Sequence, residues 1–493
     1  MNLHDYIDAV NEFCLSITGN LSKRVCGVRN DSRKVSKRDV FVAIRGTELD
    51  GTKFIESALK KEASAIFYET LPGNLILDDF PDVTFIKIVE KSGYSVFARL
   101  CEVFHDFPAK KMCSIGITGT NGKTTSAFML NYLFRSFGQK TGMIGTVVYE
   151  INGQKIEAAR TTPPPDEVQE IIAQMREEKV DTLIMEISSH SAFQNRTGSM
   201  RFNCAVFTNL SGDHLDYHQS MENYYQAKKK LFTRDLAPDG IAVVNIDDEY
   251  GRRLAKELDS KILTYGFSEN ADLRILEFSG TSEGSLYKLQ YKEKAYQDES
   301  PLFGKFNIYN LAGVVGALVA TTDKSLKEIL RMIKNFTGVP GRLQSIKKIN
   351  GGLIFIDYAH TDDALDNVCS ALNELEHENI IVIFGCGGDR DKTKRPRMAE
   401  AASRYTDFLI VTLDNSRFEN PDDIINDIKL GIPTNQKHRI IADREKAIAA
   451  GVQKLGPKDI LLIAGKGHET YQDVKGVKTP FDDYKIASKY AEK

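Results

Sequence analysis

The sequence predicts an α/β protein of three domains: a mixed α/β N-terminal domain, a central doubly wound parallel sheet of the phosphate-loop ATPase kind, and a C-terminal Rossmann-like domain. Three observations carry that prediction. The chain is 493 residues long, room for about three domains of ordinary size. Short apolar runs alternate with helical patterns, and strands alternating with helices mean a parallel sheet. The run Gly116-Ile-Thr-Gly-Thr-Asn-Gly-Lys-Thr-Thr125 sets a glycine-rich turn between a strand and a helix.

In chain order, residues 1–108 alternate short strands and helices and hold no phosphate loop. His105-Asp-Phe-Pro-Ala-Lys-Lys111 reads as a linker. Residues 109–340 are the central domain. Its first strand is Cys113–Ile117, and the helix after the glycine turn repeats apolar residues at Ala127, Leu130, Phe134 and Phe137 before stopping at Gly138. Further strands are expected at Thr182–Ile187, Ala205–Thr208 and Ile241–Asn245. Gly338-Val-Pro-Gly-Arg342 punctuates the chain, and residues 341–493 carry strand candidates Leu353–Asp357, Ile380–Phe384, Phe408–Thr412 and Ile460–Ile463.

Composition excludes several classes. A net charge of −3 gives no reason to expect nucleic acid or an anionic membrane as partner. The first residues, Met1-Asn-Leu-His-Asp-Tyr-Ile-Asp8, carry acid where a signal peptide carries base. No apolar run approaches the roughly 18 residues of a membrane span. Seven scattered cysteines, odd in number and without a Cys-x-x-Cys pair, read as reduced thiols. The expectation is a cytoplasmic protein, acting as a monomer and not inserted in a membrane.

The glycine turn is an anion cradle. Backbone N–H groups of Gly119, Thr120, Asn121, Gly122, Thr124 and Thr125 are available to phosphate, Lys123 supplies positive charge, and the Thr124 hydroxyl suits Mg²⁺. The spacing is shorter than usual, because Ile117 stands where the common pattern has glycine. Ligands in parallel sheets bind beyond the carboxyl ends of the strands. There this chain places Glu186-Ile-Ser-Ser-His190, Asn209-Leu-Ser-Gly-Asp-His214, Asp357-Tyr-Ala-His360, Gly387-Gly-Asp-Arg390, Asp414-Asn-Ser-Arg417 and Gly465-Lys-Gly-His-Glu469. Two domains each present a polar edge, so a cleft between them is the expected site.

Bland readings stand beside the functional ones. Glu186 and His214 suit a metal site with Thr124, or a helix cap and an ordinary loop histidine. Lys228 opens Lys228-Lys-Lys230 and reads by default as part of a solvated basic face. Arg342 either reaches phosphate or pairs with a carboxylate. Asp357 and His360 either contact nucleotide, or Asp357 caps a helix starting near Asp362. Arg390, Arg417 and Glu469 fit a zwitterion, two guanidinium forks for carboxylates and one carboxylate for an ammonium. A surface ion network fits them equally.

The phosphate loop, Glu186-x-Ser-Ser-His190, Asp213-His-Leu-Asp216 and Gly304-Lys-Phe-Asn-Ile-Tyr-Asn310 together resemble the Mur ligase family of cell-wall amino-acid-adding enzymes. Asp357-Tyr-Ala-His360, Gly385-Cys-Gly-Gly-Asp-Arg390 and Gly465-Lys-Gly-His-Glu469 resemble its tripeptide-forming branch, as do Asp31-Ser-Arg33, Phe41-Val-Ala43 and Asp50-Gly51. The resemblance spans essentially the whole chain. It implies that ATP phosphorylates the free D-Glu carboxylate of UDP-MurNAc-L-Ala-D-Glu and that an amino-acid amine then attacks the acyl phosphate. It further implies that Lys123 and Thr124 hold phosphates and Mg²⁺, with Glu186 and His214 as metal ligands. Lys228, in Ala227-Lys-x-x-Leu-Phe232, matches a lysine that becomes carbamylated and supports Mg²⁺, which revises its solvated-face reading. Asn307 and Arg342 match ATP contacts. Ser32, Thr161, Thr162, Ser188, Gln194 and Arg196 match contacts to the UDP-sugar peptide. Arg390, Asp414, Asn415, Arg417, Gly465 and Glu469 match the site for the added amino acid.

That last site points to a substrate. Family members adding meso-diaminopimelate carry Asp-Asn-Pro-Arg here, and lysine-adding ones typically lack the arginine. This chain keeps Arg417, so a diamino dicarboxylic acid is expected, either meso-diaminopimelate or its thioether analogue meso-lanthionine. Ser416 replaces the proline and leaves the loop less fixed in φ. Lys53 stands where the family often has His, and Asp362 where it often has Pro. The alternatives are a lysine-adding ligase, a folylpolyglutamate-synthase-like ligase, and a nucleotide-binding scaffold without turnover.

Overall fold

The computed structural model describes residues 1–46, 49–73 and 75–492. The chain divides into two compact units. One comprises Met1–Lys123, Leu130–Thr264 and Gly316–Asp323, the other Thr124–Met129, Tyr265–Val315 and Lys324–Lys493.

In the first unit, β1 (Cys14–Thr18), β2 (Gly27–Arg29), β3 (Asp39–Ala43), β4 (Ala65–Tyr68) and β5 (Thr84–Ile88) form a sheet in the order β1-β5-β4-β3-β2. Strands β2 to β5 run parallel and β1 closes the edge antiparallel. Val40, Val42 and Phe67 face a core that includes Val96, Phe97 and Leu100 of the helix Gly93–Phe104. Phe41, Ala43 and Ile66 face the other way, against Ile55, Ala58 and Leu59. Covering both faces is why these strands read as unbroken apolar runs.

The second sheet is built around the glycine turn. Its strands in this unit are β6 (Cys113–Thr118), β7 (Thr141–Ile144), β8 (Val148–Ile151), β9 (Gln154–Glu157), β10 (Thr182–Glu186), β11 (Phe202–Phe207) and β12 (Leu236–Asn245). They lie in the order β12-β11-β6-β10-β7-β8-β9. Strands β7, β10, β6, β11 and β12 are parallel, and β8 and β9 are antiparallel additions. Ile117 is level with Glu186 on one side and Val206 on the other. That register brings the glycine turn, Glu186 and the Thr208–Asn209 segment to one edge of the sheet.

In the second unit, the end of β13 (Lys261–Gly266) pairs with β14 (Leu273–Thr281), which continues as an antiparallel meander through β15 (Gly284–Tyr291) and β16 (Lys294–Ser300). A further sheet has the order β17-β18-β22-β19-β20-β21, from β17 (Gln344–Lys347), β18 (Leu353–Asp357), β19 (Ile380–Phe384), β20 (Phe408–Val411), β21 (His438–Ile440) and β22 (Ile460–Ala464). All but β17 are parallel. Alternate residues serve two cores: Phe355, Val382 and Leu462 pack with Leu365 and Met398, while Ile356, Ile383 and Ile463 pack with Ile448 and Ala487. This is the Rossmann-like arrangement expected. A ribbon of β23 (Tyr471–Val474) and β24 (Val477–Pro480) stands beyond β22.

Candidate functional site

The glycine turn is held by contacts that leave little freedom. Gly119 has φ 153° and Gly122 φ 88°. A Cβ on Gly119 would lie 1.8 Å from the Thr208 hydroxyl, so a side chain is excluded there. Thr120 N–H donates to the Asn209 carbonyl at 2.9 Å, and Asn121 N–H to the Asn209 side chain at 2.9 Å. The Thr208 hydroxyl donates to the Asn121 carbonyl at 2.6 Å. Thr124 and Thr125 are buried in the first turn of the helix Lys123–Ser136. Lys123 Nζ donates to the carbonyls of Gly119 and Thr120, both at 2.8 Å.

Lys228 overturns its default reading. It lies on the helix Met221–Thr233, whose residues Tyr224, Ala227, Lys228 and Leu231 share the buried face. It is 1% exposed, donates to the Gly119 carbonyl at 2.7 Å and sits 4.6 Å from the centre of the Tyr224 ring. Burial pushes its amine well below the ordinary lysine range, the charge of Lys123 pushes the same way, and Asp213 opposes both. Its neighbours in the lysine run are only partly buried. Lys229 pairs with Glu257 at 2.9 Å, and Lys230 lies over the Phe193 ring. The Tyr224 hydroxyl is 3.2 Å from the Thr120 hydroxyl.

Glu186 is fully buried at the end of β10. Its two oxygens accept from the N–H and hydroxyl of Thr146, each at 2.9 Å. It is not a helix cap. Ser188 takes that role, accepting from Ser191 N–H at 3.1 Å. A Cβ at Gly145 would lie 2.4 Å from Glu186 Oε1, so the turn must hold glycine for the carboxylate to sit there. His214 is half exposed with φ 52°, and its ring lies 5.1 Å from that of His190. The His190 ring also touches Tyr217 at 4.1 Å and His218 at 5.6 Å. Burial first, then the flanking His214, His218 and Arg196, pull the His190 pKa down to about 4. Among the described residues, no three His, Cys, Asp or Glu side chains gather as a metal cluster.

Thr161, Thr162, Ser188, Gln194 and Arg196 form one chain of hydrogen bonds around Glu186. The hydroxyls of Thr161 and Thr146 are 3.1 Å apart, and that of Thr162 donates to the Glu186 carbonyl at 2.7 Å. Ser188 N–H donates to Thr162 at 3.2 Å, and Arg196 donates to the Thr162 carbonyl at 2.5 Å. Arg196 also grips Gln194 Oε1 at 2.8 and 3.0 Å, while Gln194 donates to the Tyr217 hydroxyl at 3.1 Å. Ser32 is buried in the turn after β2, outside this chain of bonds.

In the second unit, the zwitterion candidates follow β19, β20 and β22 at their carboxyl ends, but among the described residues no bond joins Glu469 to Arg390 or Arg417. Asn415 donates to Glu469 Oε2 at 2.9 Å, and Gly465, at φ 113°, passes close to Asp414. Arg417 has φ 50° and donates to the Gly388 carbonyl at 2.6 Å. Arg390 is exposed and makes no hydrogen bond or ion pair among the described residues. The loop that carries it is braced by the buried Arg395, which pairs with Glu419 at 2.7 Å and Asp427 at 2.8 Å. Asp357 accepts from Leu343 N–H at 2.7 Å and Ala359 N–H at 2.8 Å. It therefore does not cap the helix Asp362–Asn373, which Thr361 caps by accepting from Ala364 N–H. Burial raises the Asp357 carboxyl, opposed by Arg342, whose guanidinium lies 4.6 Å over the Tyr358 ring. Asn307 donates to the Phe303 carbonyl at 2.8 Å and accepts from Asn310 at 3.0 Å.

Sequence reasoning passed over Thr146, His190, Tyr224 and Lys466. Tyr224 was findable one helical turn before Lys228. Lys466 stood inside a quoted motif, where it is fully buried against Asp414, Asn415 and Glu469.

Comparison with known proteins gives a consistent picture. The Mur ligase middle domain matches residues 117–318, the Mur ligase glutamate ligase domain 341–467, and the Mur ligase family catalytic domain 24–89. A Bacteroides fragilis protein named UDP-N-acetylmuramoyl-L-alanyl-D-glutamate–2,6-diaminopimelate ligase is 40% identical over 476 residues, 96% of each chain. A Phocaeicola vulgatus protein of the same name is 38% identical over 474 residues, 95% of this chain and 96% of that one. A solved structure under that name matches with a TM-score of 0.69 at 31% identity, covering 99% of this chain and 98% of the other. Two more distant structures share the fold. The MurF ligase of Thermotoga maritima in complex with ADP has a TM-score of 0.60 at 18% identity, over 94% of this chain and 97% of that one. Mycobacterium tuberculosis folylpolyglutamate synthase complexed with ADP has a TM-score of 0.60 at 19% identity, over 74% of this chain and 90% of that one.

Proposed function

This chain belongs to the Mur ligase family, and from that premise we propose that it is the ATP-dependent ligase joining a diamino dicarboxylic acid to UDP-MurNAc-L-Ala-D-Glu. The observation that carries the choice of amine is Arg417 itself, which donates to the Gly388 carbonyl and stands two residues along the loop from Asn415, which is bonded to Glu469. Arg417 offers a guanidinium fork for an extra carboxylate, and Asp414 and Glu469 offer carboxylates for an ammonium.

A carboxylate is a poor electrophile until it is phosphorylated. The terminal phosphoryl group of ATP passes to the free D-Glu carboxylate, giving ADP and an acyl phosphate. The neutral amine then attacks the acyl carbon, phosphate leaves, and the amine loses a proton as the amide forms. We assign the phosphate loop, residues 119–125, with Asn307, Arg342 and Asp357, to ATP. Ser32, Thr161, Thr162, Ser188, Gln194 and Arg196 are assigned to the UDP-linked dipeptide, and Arg390, Asp414, Asn415, Arg417, Gly465 and Glu469 to the amine. Holding the amine beside the acyl phosphate turns a bimolecular attack into an effectively unimolecular one.

The residues fit Mg²⁺ in kind. The Thr124 hydroxyl, the Glu186 carboxylate and the oxygens of a carbamate on Lys228 are hard donors, with His214 the softer partner. When bound, Mg²⁺ supplies neutralisation of phosphate charge. Lys228 suits carbamylation because a buried, poorly solvated amine favours its neutral, nucleophilic form. We further propose three domains at 1–108, 109–340 and 341–493, and a cytoplasmic protein working as a single chain. Among the described residues, no helix is long and apolar enough to cross a membrane.

The test is phosphate release from ATP with UDP-MurNAc-L-Ala-D-Glu and, separately, meso-diaminopimelate, meso-lanthionine and L-lysine. Release with a dicarboxylic amine but not with lysine is expected. Release with lysine alone would overturn the Arg417 argument, and release with none would favour a scaffold without turnover.

A further inference from the structure

We infer that Lys466 is a positioning residue that fixes how the amine pocket presents Asn415 and Glu469, and thereby sets its selectivity for the incoming amino acid. The inference rests on the ligase reading above. Lys466 is 0% exposed and its ammonium is taken up by protein acceptors, which makes it a support for the pocket residues. Its ammonium donates to Asn415 Oδ1 at 3.0 Å, Glu469 Oε2 at 3.2 Å and Asp414 Oδ1 at 3.3 Å. Three donor hydrogens thus meet three acceptors.

The consequence falls on Asn415. Its amide has two ends of nearly the same shape, and only the donors around it decide which way it points. Oδ1 accepts from Lys466 and also from Asp473 N–H at 2.9 Å. Both lone pairs are then used, so the NH₂ end must face Glu469, to which it donates at 2.9 Å. Lys466 and Asn415 together pin one oxygen of Glu469. They leave Oε1, by this count, to read an ammonium. Lys466 also lies between the carboxylates of Asp414 and Glu469 and offsets their mutual repulsion.

The backbone is built to bury this lysine. Gly465 at φ 113° and Gly467 at φ 54° flank it in the left-handed region. A Cβ on Gly467 would lie 2.7 Å from the Tyr358 Cβ. Glu469 N–H donates back to the Lys466 carbonyl at 3.0 Å, which closes the turn. A Gly-Lys-Gly triplet therefore turns one cation inward beneath the residues assigned to the amine.

The experiment compares the wild-type enzyme with Lys466→Met, which removes the ammonium, and Lys466→Gln, which keeps an uncharged donor. KM is measured for the amine, ATP and the UDP-linked dipeptide, with thermal melting as the check on folding. The expected result is an amine KM raised about tenfold or more in the Met variant, and less in the Gln variant. KM for the other two substrates should stay within about twofold, and the preference for the dicarboxylic amine over lysine should narrow. An amine KM within about twofold of wild type in the folded Met variant, or a Gln variant as impaired as the Met variant, would overturn the inference. So would an equal rise in all three KM values, or a failure of both variants to fold, since each would assign Lys466 to stability alone. A wild-type enzyme that accepts only lysine would instead overturn the choice of amine in the ligase reading, and the Lys466 effect would then be read on the lysine KM.

Discussion

Lys228 beside the phosphate loop and Lys466 beneath the residues proposed to bind the amine are both fully buried, yet their surroundings differ in sign. Lys228 has a backbone carbonyl, an aromatic face and a second lysine around it, and the Asp213 carboxylate only partly offsets them. Lys466 has two carboxylates and an amide oxygen. Burial of a lysine is therefore not one device but two. Where water is removed and no strong counter-ion replaces it, the amine is driven toward its neutral form and becomes available for chemistry. Where carboxylates replace the water, the ammonium becomes a fixed strut. On the proposals above, one unit carries a reactive nitrogen and the other a structural one.

The sharpest way to break this contrast is Lys228→Ala, which should lower phosphate release by roughly a thousandfold, the scale of losing a preorganised charge-stabilising group. Small carboxylates such as acetate should restore part of it if a carbamate is the working form. Full activity in the variant would make Lys228 an ordinary buried lysine. Next in size is Arg417→Ala. Losing a charge partner for a desolvated carboxylate should cost on the order of 3 kcal/mol, read as an amine KM up by about a hundredfold with the UDP-substrate KM unchanged. An unchanged amine KM would remove the guanidinium fork from the pocket.

A smaller effect tests protonation alone. Because the folded state holds the Lys228 pKa below its unfolded value, the unfolded chain binds more protons, and stability contributed by this site rises with pH toward the ordinary lysine range. In bicarbonate-free buffer, Lys228→Met should therefore be more stable than wild type to urea at pH 7, and the gain should shrink as pH is raised. A pH-independent difference would contradict a neutral amine. The smallest expected effect is at His190. With a folded pKa near 4 against 6.5 unfolded, its contribution is present above pH 6.5 and is lost as pH falls from there toward 4. His190→Phe should flatten that part of the pH-stability curve, and an unaltered curve would place the acid transition elsewhere.

How much of this was legible in the sequence depended on how far apart the partners lie. Strands β18 and β19 were read to the residue, because both faces are buried and apolar runs mark them. Strand β9, Gln154–Glu157, was invisible: it is exposed along its whole length and carries no pattern. The meander β14–β16 was missed for a related reason, since exposed charged residues interrupt its apolar alternation. The glycine turn was legible because its chemistry is local. Glu186 was legible as a candidate but not in its bonding, because Thr146 stands 40 residues away. Lys228 was masked by its neighbours in the lysine run, although the i, i+3, i+7 spacing of Tyr224, Ala227 and Leu231 marks the face on which it lies.

Arg417 stands in the left-handed backbone region at φ 50°, where an L-residue with a full side chain costs roughly 1 kcal/mol more than glycine. The backbone at this position would be more comfortable with Gly or Asn. Random substitution should therefore erode the arginine wherever nothing selects for its fork, and the change would relax the fold rather than damage it. On the proposed role of Arg417, the residue at this strained position is expected to be a record of diet among relatives of this chain: arginine where a second carboxylate is taken, and small, left-handed-tolerant residues where it is not.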